Sequence, residues 1–186
     1  MLFLSKGKLL KKRSRNSIIV QKQWGRYALK DKKARIWLCA KGISYSPRDL
    51  DELSLVTQLC EEGLMTEMAL PNLHGLYDVL TSNSICVNLQ KHSLFSLRGL
   101  EKEIMLWLKN NERRLRMEEL VYLIEHDISP EEYAKDKFGV ALSERIYRTR
   151  IQVDNTLRRD MLYAKRRDET VNAVLRLIEK NRLYLA

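Results

Sequence analysis

The chain has 186 residues, 45% of them hydrophobic and 31% charged, with only 7 Gly and 3 Pro. That length allows one ordinary domain or two small ones, and the composition excludes collagen-like, low-complexity and disordered classes. Thirty-four Lys+Arg against 24 Asp+Glu leave a formal charge of +10, which puts nucleic acid first among partner classes.

The charge is uneven along the chain. Residues 1–33 hold 11 Lys+Arg and one Asp, residues 34–143 hold 12 and 17, and residues 144–186 hold 11 and 6. Both ends are therefore basic and the middle acidic. Residues 1–15, MLFLSKGKLLKKRSR, offer no long apolar face and read as a basic, flexible arm with Lys11, Lys12 and Arg13 as candidate phosphate contacts. Its apolar start, Met1 to Leu4, is much shorter than a signal-peptide core of about 7–15 residues. No run reaches the roughly 20 apolar residues of a membrane helix, so no membrane partner is expected. Cys39, Cys60 and Cys86 lie far apart without a CxxC pair and read as reduced, buried thiols of a cytoplasmic protein.

An internal repeat organises the rest. Asn16 opens NSIIVQKQWGRYALKDKKARIWL and Asn83 opens NSICVNLQKHSLFSLRGLEKEIMLWL. In each, an alternating strand-like stretch (Ile18, Val20; Ile85, Val87, Leu89) precedes a short Tyr27–Leu29 or Phe95–Leu97 segment and an amphipathic helix ending in Trp37-Leu38 or Trp107-Leu108. Residues 49–68 and 168–186 echo each other as a helix followed by a short strand. The reading is a shortened unit over 16–70, a packed connector over 71–82, and a longer unit over 83–186 with an insertion at about 109–167.

In the longer unit, Leu100, Ile104, Trp107 and Leu108 form one apolar helical stripe, and Leu115, Leu120, Leu123 and Ile124 form another. Ser129-Pro130-Glu131-Glu132 has the form of a helix start: an N-cap serine, a first-turn proline and then acids. The run SPEEYAKDKFGVALSERIYR resembles a helix-turn-helix, with small Ala134 at the helix approach, Gly139 in the turn and Ser143 capping the second helix. That helix runs from Ser143 to about Met161, with Ile146, Val153, Leu157 and Met161 on one side and Arg145, Arg148, Gln152, Asn155, Thr156 and Arg159 on the other. Arg pairs bidentately with guanine and Gln or Asn with adenine, so this face suits base readout, and Lys165, Arg166 and Arg167 follow where a loop or wing would meet phosphates.

Residues 83–186 resemble the winged-helix effector domain of the response-regulator (OmpR-like) family, through ICVNLQ, LFSL, GLEKEIMLWLKNN, MEELVYLIE, a recognition-type helix ending in NTLRRD, and a last strand at RLYLA. The resemblance implies that this helix enters the major groove through Arg145, Arg148, Gln152, Asn155 and Arg159, with Lys165–Arg167 near the wing. It also implies a C-terminal hairpin where ETVNAVLRLIEKN here reads as helix. The shorter first unit resembles PqqD-like peptide-recognition modules, which implies strand addition to a sheet edge, with Ser17 to Gln21 as the exposed strand that takes a peptide or a second copy of the chain.

No catalytic constellation is legible. His74, His92 and His126 are scattered without metal-ligand spacing, phosphate-cradling glycine motifs are absent, and the acidic pairs at 61–62, 118–119 and 131–132 read as solvated helix faces. The expectation is a helix-rich α+β protein of tandem winged-helix (helix-turn-helix) modules with small antiparallel sheets. It would be a cytoplasmic, bacterial, non-enzymatic, cofactor-free regulator that binds duplex DNA. The alternative is a peptide- or protein-binding winged-helix adaptor whose first unit holds the partner or forms a homodimer.

Overall fold

The computed structural model describes residues 1–14, 16–22, 25–89, 94–110, 114–130, 146 and 154–186. Within these residues the side chains of 12–14, 114, 154 and 155 are outside the description. The elements are β1 (Leu2–Ser5), β2 (Lys8–Ser14), β3 (Ser17–Lys22), β4 (Gly25–Lys30), α1 (Asp31–Cys39), α2 (Leu50–Glu61), β5 (Met65–Met68), α3 (Leu73–Thr81), β6 (Ile85–Val87), α4 (Gly99–Asn110), β7 (Arg114–Leu115), α5 (Met117–Glu125), α6 (Asp154–Met161), α7 (Arg167–Glu179) and β8 (Leu183–Leu185). The protein is α+β, and its sheets are small and antiparallel, as the composition and periodicity predict. Among the described residues no helix is long and apolar enough to cross a membrane.

Local chemistry sets the helix boundaries. The Asp49 carboxylate accepts the Glu52 N–H at 2.7 Å to start α2, and Asn72 accepts the Gly75 N–H at 3.0 Å to start α3. At α5 the Glu119 carboxylate accepts the Arg116 N–H at 2.9 Å. Helices α1 and α4 each bury one stripe, Ala34, Ile36 and Trp37 on α1 and Ile104, Met105, Trp107 and Leu108 on α4, whereas α5 is buried on every side from Met117 to Ile124.

Within the predicted arm of residues 1–15, the described residues 1–14 are not free. Leu2–Ser5 pairs along its length with Met65–Met68, and Lys8–Ser14 pairs with β3. Alternation explains the sequence: Leu4 faces one apolar core and Phe3 the other, so a four-residue run too short to look like an element is buried on both sides. Met68 and Met65 divide between the two cores in the same way. The β1–β5 ribbon is thus a wall shared by the two cores.

The order of elements suggests a different alignment of the two halves from the one read in the sequence. The counterpart of β6 is β1, not β3. Phe3 is bridged to Tyr45 on one side and paired with Glu67 of β5 on the other, while Ile85 is paired with Leu115 of β7 and Leu185 of β8. Trp37 precedes Tyr45 by the same interval that separates Trp107 from Leu115. Each unit has a central strand, a Trp-bearing helix, a short flanking segment (the Tyr45 bridge; β7) and a closing helix–strand (α2–β5; α7–β8), and the second adds α5 and α6 before its closing pair. The β2–β3–β4 meander is an insertion in the first unit, which begins at residue 1 rather than 16. Phe95-Ser96-Leu97 is a turn and does not match strand β4.

The predicted connector, residues 71–82, contains helix α3, whose Tyr77, Val79 and Leu80 are buried in the core of the second unit. The units also meet directly. The Gly7 N–H donates to the Leu185 carbonyl at 2.8 Å, and Lys41 Nζ donates to the Glu179 carbonyl at 3.0 Å. Cys39 is exposed, and Cys60 and Cys86 are half-buried; none forms a disulfide, and none is the core residue expected from its apolar flanks.

Candidate nucleic-acid interface

Helix α6 is the described part of the predicted recognition helix. Leu157 and Met161, one turn apart, are buried in the second core together with Ile146, and the helix packs on α5. Tyr77 Oη donates to the Arg158 carbonyl at 3.0 Å, and the Arg158 guanidinium pairs with Asp78 at 3.0 Å. Arg159 is exposed, on the side the apolar stripe leaves free. Asn155 lies in α6 with its side chain outside the description, and Arg145, Arg148 and Gln152 lie outside the described residues. So do the helix-turn-helix positions Ala134, Gly139 and Ser143, and Val153.

Lys165, Arg166 and Arg167 do not form a wing. They turn the chain from α6 into α7, as the helical reading of ETVNAVLRLIEKN requires. The Glu125 carboxylate accepts the Lys165 and Arg166 N–H groups at 3.2 and 2.9 Å. The Arg166 guanidinium donates to the Ile124 carbonyl at 3.0 Å and to Asp127 at 2.9 Å. Arg167 is spent on Asp168, His74 and the Leu162 carbonyl. These two arginines hold α5, α6 and α7 together, so only the exposed Lys165 side chain keeps the predicted freedom.

Of the arm residues, Lys11 is exposed on β2, while the side chains of Lys12 and Arg13 are outside the description. What sequence reading missed is the sheet beneath Lys11. Ile18, Val20 and Leu29 are buried, so the alternate residues of β3 and β4 point away from the core. Registers Lys8↔Gln21↔Arg26 and Lys11↔Ile19↔Ala28, with Ser17↔Lys30, place Lys8, Lys11, Arg26 and Lys30 on that outer face. The three strands contain no Asp or Glu. Lys22 sits on the inner side, its ammonium over Gly63 at the carbonyl end of α2, where the helix dipole favours a cation. Period-2 alternation in GRYALK was the signal available for this sheet. The same alternation excludes strand addition at Ser17 to Gln21: β3 is the middle strand, hydrogen-bonded on both edges.

Glu118 and Glu119 are buried rather than solvated. Glu119 caps α5, whereas Oε2 of Glu118 has no hydrogen-bond partner among the described residues, and the Arg116 guanidinium lies 3.9 Å from Oε1. Burial pushes the Glu118 carboxyl above the usual range, neighbouring Glu119 adds to this, and Arg116 and Arg158 oppose it. The folded state therefore holds this proton more tightly than the unfolded chain. Its contribution to stability is complete below the ordinary carboxylate range and is lost as pH rises through the folded value. Glu118→Gln is expected to raise the melting temperature by about 2–6 °C at pH 7, on the order of 1–2 kcal/mol, with the gain shrinking toward pH 4. Equal gains in melting curves at both pH values would contradict this.

Among the described residues no three His, Cys, Asp or Glu side chains cluster so as to hold a metal ion. His126 Nδ1 lies 2.9 Å from the Tyr122 carbonyl and His74 contacts Arg167, while His92 lies outside the described residues. No family model, no curated protein and no solved structure matches the chain.

Proposed function

We propose that this chain is a DNA-binding protein, a transcriptional regulator built of two winged-helix-like units, which lays the helix near residues 143–161 in a major groove. The observation that carries the reading is the division of α6: Leu157 and Met161 buried, Arg159 exposed. A groove-reading helix needs this division, because its inner stripe must fix it to a core while its outer side chains stay free for base edges. The second unit's three-stranded sheet, β7–β6–β8, and the packing of α5 against α6 supply the rigid frame such a helix requires.

The test is fluorescence anisotropy with labelled duplex DNA. Affinity is expected to fall by orders of magnitude between about 50 and 200 mM salt, because bound lysines and arginines release counterions from phosphates. On a selected high-affinity site, Arg148→Ala and Gln152→Ala should each cost about 1–3 kcal/mol and weaken random-sequence binding less. A chain that binds no duplex at low salt would end the proposal.

A further inference from the structure

We infer that the outer face of the β2–β3–β4 sheet is a second duplex-DNA contact, separate from the α6 face. The inference rests on the DNA-binding reading above and adds a surface to it.

The first observation is uncompensated charge. Elsewhere the structure pairs many of its cations: Lys33 with Glu62, Arg158 with Asp78, Arg166 with Asp127, and Arg176 and Lys180 with Glu101. Lys8, Lys11, Arg26 and Lys30 make no ion pair among the described residues; Lys11, Arg26 and Lys30 are exposed, Lys8 is half-buried, and all four share one sheet face. Like charges held on one face destabilise a sheet, and an anionic partner removes that repulsion.

The second observation is shape. Three strands span roughly 10 Å and six residues roughly 20 Å, which matches a B-form major groove about 12 Å wide. Gln21 stands between Lys8 and Arg26 on the same row, an amide suited to a base edge between two phosphate-directed cations. Tyr27 packs against the core, so among the described residues the outer face offers no aromatic platform for stacking single-stranded bases. Ile19 and Ala28 are the apolar residues its register places there, too little for insertion into a lipid interface.

The test uses the full chain and the triple variant Lys11→Glu/Arg26→Glu/Lys30→Glu, with Lys11→Ala/Arg26→Ala/Lys30→Ala as a milder second set. Circular dichroism and melting curves identify which set keeps the wild-type fold. Anisotropy on a labelled 24-base-pair duplex is expected to show affinity falling about 10- to 100-fold at low salt, with the salt slope reduced by about 2–3. A folded variant with wild-type affinity and slope overturns the sheet contact and leaves the helix-face reading intact. A wild-type chain that binds no duplex overturns both. Tighter binding to single-stranded RNA, or to vesicles with about 30% phosphatidylserine, that the same substitutions abolish would overturn the assignment to duplex DNA.

Discussion

Trp37→Ala is expected to lower the stability of the protein by about 3–5 kcal/mol, measured as a shift in the midpoint of urea unfolding with the slope unchanged. Trp37 is 1% exposed and among the largest side chains of the first core. It also closes the centre of its unit by hydrogen bonding: indole Nε1–H donates to the Lys6 carbonyl at 3.2 Å and to the Leu64 carbonyl at 3.1 Å. Lys6 follows β1 and Leu64 precedes β5, so one ring ties the two strands together at one end of the ribbon on which both cores rest. Trp37→Phe keeps most of the volume and loses the donor, and should cost less, about 1–3 kcal/mol. Equal losses for the two variants would show that the lost indole donor, not packing, sets the effect.

Gly42→Ala should be comparably damaging, at about 2–5 kcal/mol, through a different cause. Gly42 has φ of +73° and lies against α7, where an added Cβ would stand 2.6 Å from the Leu175 carbonyl oxygen and 2.7 Å from the Glu179 nitrogen. Both groups are backbone, so neither can rotate aside. Relief requires the turn after α1 to move off α7, and left-handed strain adds to the cost. A melting temperature within about 1 °C of wild type would mean that the turn and α7 separate freely.

How far the sequence disclosed this structure depended on what each segment is surrounded by. Helices α4 and α7 were legible because one stripe meets the core and the rest meets water, which writes a 3.6-residue period. Leu2–Ser5 was not legible, since a strand buried on both faces has no alternation, and four apolar residues before lysines look like a tail. Buried Glu118 and Glu119 misled for a related reason: charge argues for solvent, and only tertiary packing brings α3 and α6 over that end of α5. Arg166 and Arg167 read as phosphate contacts because sequence shows a cation but not the carboxylate it already faces. Trp37-Leu38 and Trp107-Leu108 do end comparable helices, while the pairing of β1 with β5 was hidden because the β2–β3–β4 meander separates β1 from α1.

The order in which the chain is made adds a consequence to the shared ribbon. Central strand β6 takes β7 from nearby sequence but waits for β8, whose Leu185 lies opposite Ile85 after most of the second unit has been synthesised. The β1–β5 ribbon can close much earlier, once Met68 exists, and Phe3 and Met65 are then covered by the first core. Leu4 and Met68 are not, because their side belongs to the later core. A newly made first unit therefore carries a greasy underside through the whole interval in which the distant pairing is being found, and long-range closure is the slow step. Destabilising the α7–β8 end should accordingly show itself first as loss of soluble yield during expression, before any fault in the folded protein.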